Sequence, residues 1–111
     1  MANTLVEKIR RGRERSLKVG ERTITIRRPT DAEALQLQGK GPLDFVLRFV
    51  CAWDFQEIDL IPGGDAKAVE FEGDLWAEWI SDHPEHWEPI ALAIMNAYWE
   101  HTKAREGEAK N

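Results

Sequence analysis

The chain has 111 residues, 42% of them apolar, and a formal net charge of −5 at neutral pH. That length supports one domain with one modest core, and no apolar run reaches the roughly 18 residues that a membrane-spanning helix needs. Cys51 is the only cysteine, which excludes an intrachain disulfide framework; lying in an apolar run, it reads as an inert core thiol in a reducing compartment.

The charge is uneven. Residues 1–30 hold nine Lys/Arg against three Glu, a local charge of +6, while residues 31–111 carry −11. A basic head on an acidic body predicts a polar arm, or self-association through opposite ends of neighbouring copies. The head has no interleaved aromatics, so nucleic acid is the weakest of its readings.

Residues 1–15 carry Leu5, Val6 and Ile9 and then "RRGRER". They read as a frayed helix or a basic flexible arm, without the apolar stretch of a secretory signal. In "SLKVGERTITIRR", Leu17 and Val19, then Ile24 and Ile26, alternate with polar residues on either side of Gly20-Glu21. That pattern predicts a β-hairpin near residues 16–27. Pro29 closes its second strand. Thr30 and Glu33 have the spacing of a capping box, which starts a short helix that Gly39 to Pro42 break.

Pro42 suits the first turn of the next helix. Leu43, Val46, Leu47, Val50 and Cys51 recur at three- and four-residue spacing, with Phe45, Phe49 and Trp53 widening the stripe. This predicts a core helix over 43–53. Residues 54–72 read as an irregular connection, with Asp54 and Asp59 bracketing a turn and "IPGG" reversing the chain. "GDLWAEWISDH" predicts a short helix with Leu75, Trp76, Trp79 and Ile80 on one face. The last helix is expected from about Pro89 to about Arg105, lined by Ile90, Ile94, Ala97, Tyr98 and His101, with 106–111 as a disordered tail. The expected fold is therefore mainly α: a small helical domain over 16–105 with an N-terminal β-hairpin.

No catalytic constellation is visible. Cys51 is placed in an apolar segment, and Ser16 and Ser81 are the only serines. His83 and His86 in "HPEH" have i, i+3 spacing, with Asp82 and Glu85 nearby, so a metal-dependent enzyme is one reading. The pair straddles a proline beside Trp87, which favours a surface junction. Glu70 and Glu72 read as solvated acids. No enzyme activity, cofactor or metal is expected.

The tryptophans stand out. Trp53, Trp76, Trp79, Trp87 and Trp99 are more than one small core readily holds, and each brings an N–H that needs a partner. Exposed tryptophans are common hot spots of protein interfaces. The 54–72 loop and the helix after it gather Phe71, Trp76 and Trp79 among Glu70, Glu72 and Asp74, with Trp53 close by. These seven residues are the expected partner-binding surface. One of Trp76 and Trp79 is expected in the core and the other exposed; their spacing leaves open which.

The order of a hairpin, "TIRRPTDAEA", an apolar segment ending in "FVCAWD", then "DLIPGG", "VEF" and "DLWAEWISDHPEHWEPIALAI" resembles the small tail assembly chaperones of long-tailed phages and prophages over roughly residues 17–100. The resemblance implies a mostly helical protein of the bacterial host cytoplasm. It implies no catalytic residues. It implies partners: the long tape measure protein, which such chaperones coat, and tail tube subunits, which they recruit. The alternative reading is a small DNA-associated regulatory protein that uses the arginine-rich N-terminal arm.

Overall fold

The structure, a computed structural model, describes residues 4–110, and side chains as far as residue 107. The chain runs α1 (Thr4–Arg11), β1 (Glu14–Val19), β2 (Arg22–Arg27), α2 (Asp31–Gln36), α3 (Pro42–Phe49), β3 (Val50–Trp53), α4 (Glu57–Leu60), α5 (Gly73–Ser81), a 3-10 turn (Pro84–His86) and α6 (Trp87–Lys110). Of the stretch expected as an arm, residues 1–3 lie outside the described residues, Thr4–Arg11 is helical, and Glu14 opens β1. α6 continues through the expected tail to Lys110, and residue 111 lies outside the described residues.

The hairpin forms where alternation places it. Val19 pairs with Arg22, and Gly20 turns the chain at φ 61°. Only the first central residue has positive φ, the pattern of a type II′ turn. Leu17, Val19, Ile24 and Ile26 then share one face, and Ile24 and Ile26 are fully buried. The capping box also forms: Thr30 Oγ1 accepts from the Glu33 amide, and Glu33 returns a carboxylate to the Thr30 amide.

The fold is mixed α/β, which corrects the expectation of a mainly helical domain with a lone hairpin. A third strand completes an antiparallel sheet of order β1-β2-β3. It comes from the second half of the predicted core helix: α3 stops at Phe49, and Val50 is extended at φ −101°, ψ 129°. The physical reason is the central strand's second edge. β2 carries the buried Ile24 and Ile26, and its remaining N–H and C=O groups need partners. β3 supplies them, with Ile24 opposite Trp53, Thr25 opposite Ala52 and Ile26 opposite Val50. Cys51 is the extra residue of a bulge in this register. It is half-buried, its thiol reaches the Thr25 carbonyl at 3.5 Å, and burial pushes its pKa up.

The sheet and α3 pack on α6, whose Ile90 and Ile94 are fully buried against Val46 and Phe49 of α3 and Ile80 of α5 in one core. Leu47, read as part of the core stripe, is 41% exposed. Because the helix ends one turn early, its buried face is set by Val46 and Phe49, and Leu47 points away.

The 54–72 connection is more ordered than its composition predicts. Asp54 extends the β2–β3 ladder, its Oδ1 accepting from the Thr23 amide at 2.8 Å. Asp59 Oδ2 accepts from the Gln56 amide at 2.7 Å and meets Arg22 Nε at 2.8 Å. The two acids thus bracket the turn as expected. Gly63 takes φ 83°, and a Cβ on Gly64 would stand 2.9 Å from the Glu57 side chain, so both glycines are required. Residues 55–57 pair back with 67–69 through the Glu57 and Val69 amides, closing the loop at its base.

Candidate functional site: an apolar groove between two helices

The expected partner-binding aromatics are brought together, but as a core cluster. Trp53 stacks on Phe55 at 4.7 Å and meets Phe71 edge-on at 5.2 Å. Trp79 meets Phe55 edge-on at 4.9 Å and lies 5.8 Å from Trp76. Trp76 is 1% exposed, which removes it from any surface, and Trp53, Phe71 and Trp79 are half-buried. Glu70, Glu72 and Asp74 remain exposed beside them.

The indole N–H groups explain why so many tryptophans are needed. The last four carbonyls of any helix lack intrahelical partners, and α3, α4 and α5 are all short. Trp76 Nε1 donates to the Val46 carbonyl of α3 at 3.0 Å. Trp79 Nε1 donates to the Asp59 carbonyl of α4 at 3.1 Å, and Trp87 Nε1 to the Ile80 carbonyl of α5 at 2.6 Å. Trp53 Nε1 donates to the Val69 carbonyl at 2.7 Å, fastening the returning loop. Two indoles therefore close the C-terminal ends of α3 and α4, and Trp87 adds a further donor to the Ile80 carbonyl, which also accepts from the His83 amide at 3.1 Å.

The histidines belong to the same stack. His83 lies over Trp79 at 4.0 Å and His86 at 5.7 Å, and His83 Nδ1 donates to the Trp79 carbonyl at 2.6 Å. Among the described residues no group of three His, Cys, Asp or Glu side chains could hold a metal. No described helix is long and apolar enough to cross a membrane.

Trp99 is the exception among the tryptophans. It is 49% exposed on α6, and Leu92 on the same helix is 55% exposed. Together with Met95 they form a second apolar stripe at i, i+3, i+7, rotated away from the buried Ile90/Ile94/Ala97 stripe. Pro42 and Phe45 of α3, with Pro89 and Ala91 of α6, complete the lining of an open groove of about 640 Å³. Lys40 and Glu88 mark its rim. α6 is thus apolar on two sides, one against the core and one in the groove. Trp99 lies off the core line in the sequence itself, four residues beyond Met95, and that offset is the signal by which the groove could have been found.

A smaller hollow of about 440 Å³ lies where the sequence placed the partner surface, between α4 and α5. Leu60, Ile61, Leu75 and Trp79 line it, with Glu57, Glu78 and Asp82 around them. It is the more acidic of the two. Comparison of this chain with protein-family models, curated proteins and solved structures finds no match.

Proposed function

We propose that this protein is a tail assembly chaperone of a long-tailed phage or prophage, acting in the cytoplasm of the bacterial host. It holds apolar helices of the tape measure protein and recruits tail tube subunits by protein–protein contact. The observation that carries this reading is the open groove between α3 and α6, walled by Pro42, Phe45, Leu92, Met95 and Trp99. Such a groove suits the apolar face of an amphipathic helix. Met95 adapts to varied side chains, as binding many similar segments of one long client requires. Trp99 is large, rigid and already half exposed, the profile of an interface anchor. The acids of the α4–α5 hollow, and exposed Glu70, Glu72 and Asp74, add a charge field that favours basic client segments and keeps the protein soluble.

The test is co-purification with overlapping tape measure fragments from the same phage or prophage, for the wild type and Trp99→Ala. The expected result is capture of at least one fragment, with the variant weaker by about 2 kcal/mol or more and its melting temperature nearly unchanged. Undiminished capture by Trp99→Ala and by Leu92→Glu would remove the groove, and capture of no fragment would remove the chaperone reading.

A further inference from the structure

Arg13 and Arg28 sit opposite each other at the open end of the β1–β2 hairpin, where the Arg28 amide donates to the Arg13 carbonyl at 2.8 Å. Like charges facing each other across paired strands repel. The C-terminal half of α6 brings His101 and Arg105 to the same place, and the charges of Arg13 and Arg105 act on both Arg28 and His101. Burial and then the Arg13 charge lower the Arg28 pKa; burial and then the Arg28 charge lower that of His101.

Asp31 is the carboxylate whose charge acts on both Arg28 and His101, and it is already committed; Glu14 and Glu33 share a hollow with Arg13, where Glu33 is held by Arg27 and Arg48. Arg105 donates to both Asp31 oxygens, and the Tyr98 hydroxyl donates to Oδ1 at 2.8 Å. Arg28 uses one Nη1 donor on the Pro29 carbonyl at 3.2 Å. Among the described residues neither Arg13 nor Arg28 forms an ion pair. Arg13 Nε is the only buried side-chain nitrogen or oxygen among them without a hydrogen-bond partner. Buried donors are almost always answered, by protein, water or an ion. A buried, unanswered Arg13 Nε beside a second arginine that makes no ion pair is a costly arrangement for the chain alone.

We propose that Arg13 and Arg28, with His101 beside them, form a binding site for a phosphate-class oxyanion. Guanidinium forks match tetrahedral oxyanions in pairs of parallel hydrogen bonds. Two forks offer more donors than one carboxylate can accept, and a dianion compensates both charges where a carboxylate compensates one. Asp31 cannot serve, because Arg105 and Tyr98 hold it. The site uses none of the groove residues and stands whether or not the chaperone reading does.

The experiment titrates the full chain with inorganic phosphate, and with chloride at matched ionic strength, at low millimolar concentration. That is below the range in which phosphate strengthens apolar burial in general. The readouts are the His101 imidazole by NMR and the thermal midpoint. Phosphate is expected to raise the His101 pKa and the midpoint saturably, and chloride to do neither. R13Q and R28Q should each weaken phosphate binding about 10- to 100-fold, the effect of losing one charge-assisted contact. Neither should lower the midpoint in chloride, since each removes one of two repelling charges. R15Q should weaken phosphate binding less than either, because Arg15 adds charge near Arg28 while its Nη1 donates to the Gly12 and Glu14 carbonyls. An equal response to phosphate and chloride, or a phosphate response that survives both R13Q and R28Q, would overturn the proposal. A short DNA duplex in place of phosphate distinguishes the source. Tighter binding, lost in the same two variants, assigns the oxyanion to a nucleic-acid backbone; binding of phosphate alone assigns it to a free phosphate.

Discussion

Replacing Trp76 tests the account of the tryptophans directly. Trp76 is 1% exposed, packs against Trp53, Phe55 and Trp79 with ring centroids 6.3, 6.3 and 5.8 Å away, and closes the Val46 carbonyl. Trp76→Ala removes both ring and donor. The lost ring costs about 3–5 kcal/mol by the usual range for a buried aromatic. A small domain has about 5–15 kcal/mol in total, so the variant should sit near its unfolding threshold. Trp76→Phe separates the two contributions. It keeps most of the packing and leaves the Val46 carbonyl unanswered, which should cost about 1–3 kcal/mol. The assay is urea denaturation followed by far-ultraviolet circular dichroism, because the other four indoles confuse a fluorescence signal. A loss below about 1 kcal/mol in Trp76→Ala would refute the core placement. Wild-type stability in Trp76→Phe would refute the helix-closing role of the indole.

Leu47→Ala should change stability by no more than about 0.5 kcal/mol, as expected for an exposed position, whereas Phe49→Ala should cost about 3–5 kcal/mol; denaturant midpoints measure both. Glu33 provides a pH test. Partial burial alone would raise its pKa, but hydrogen bonds from Arg27 and the Thr30 amide, with the charges of Arg27 and Arg48, hold it down at about 2. The folded state then binds fewer protons here than the unfolded chain, whose carboxyl titrates near ~4.3. Its contribution, on the order of 2 kcal/mol, is present in full above that pH and is lost as pH falls toward 2. Glu33→Gln should flatten the acid limb of the stability curve in that window, and an unchanged slope would show that the Arg27 pair contributes nothing.

Local chemistry made several elements legible from sequence. The hairpin follows from alternation around Gly20-Glu21, the start of α2 from Thr30 and Glu33, the start of α3 from Pro42, and α5 from the Leu75–Ile80 stripe. Each is decided by residues within a turn or two of one another, so the signal is local. The Asp54 and Asp59 brackets were legible for the same reason. The stretch 50–53 was not, because Val50 and Cys51 continue the three- and four-residue spacing of α3, and an apolar run of this length satisfies helix and buried strand alike. What selects the strand is the unpaired edge of β2, 24 or more residues away, which only the folded chain places alongside. The tryptophans divide in the same way. Their number declared that the chain has more indole than a small core readily takes, but which carbonyl each one reaches depends on where three short helices end in space. Trp99 carries the same side chain as Trp76. One is covered and the other left open because the sheet, α3 and the 3-10 turn pack on one stripe of α6, while α3 walls the second stripe without closing over it.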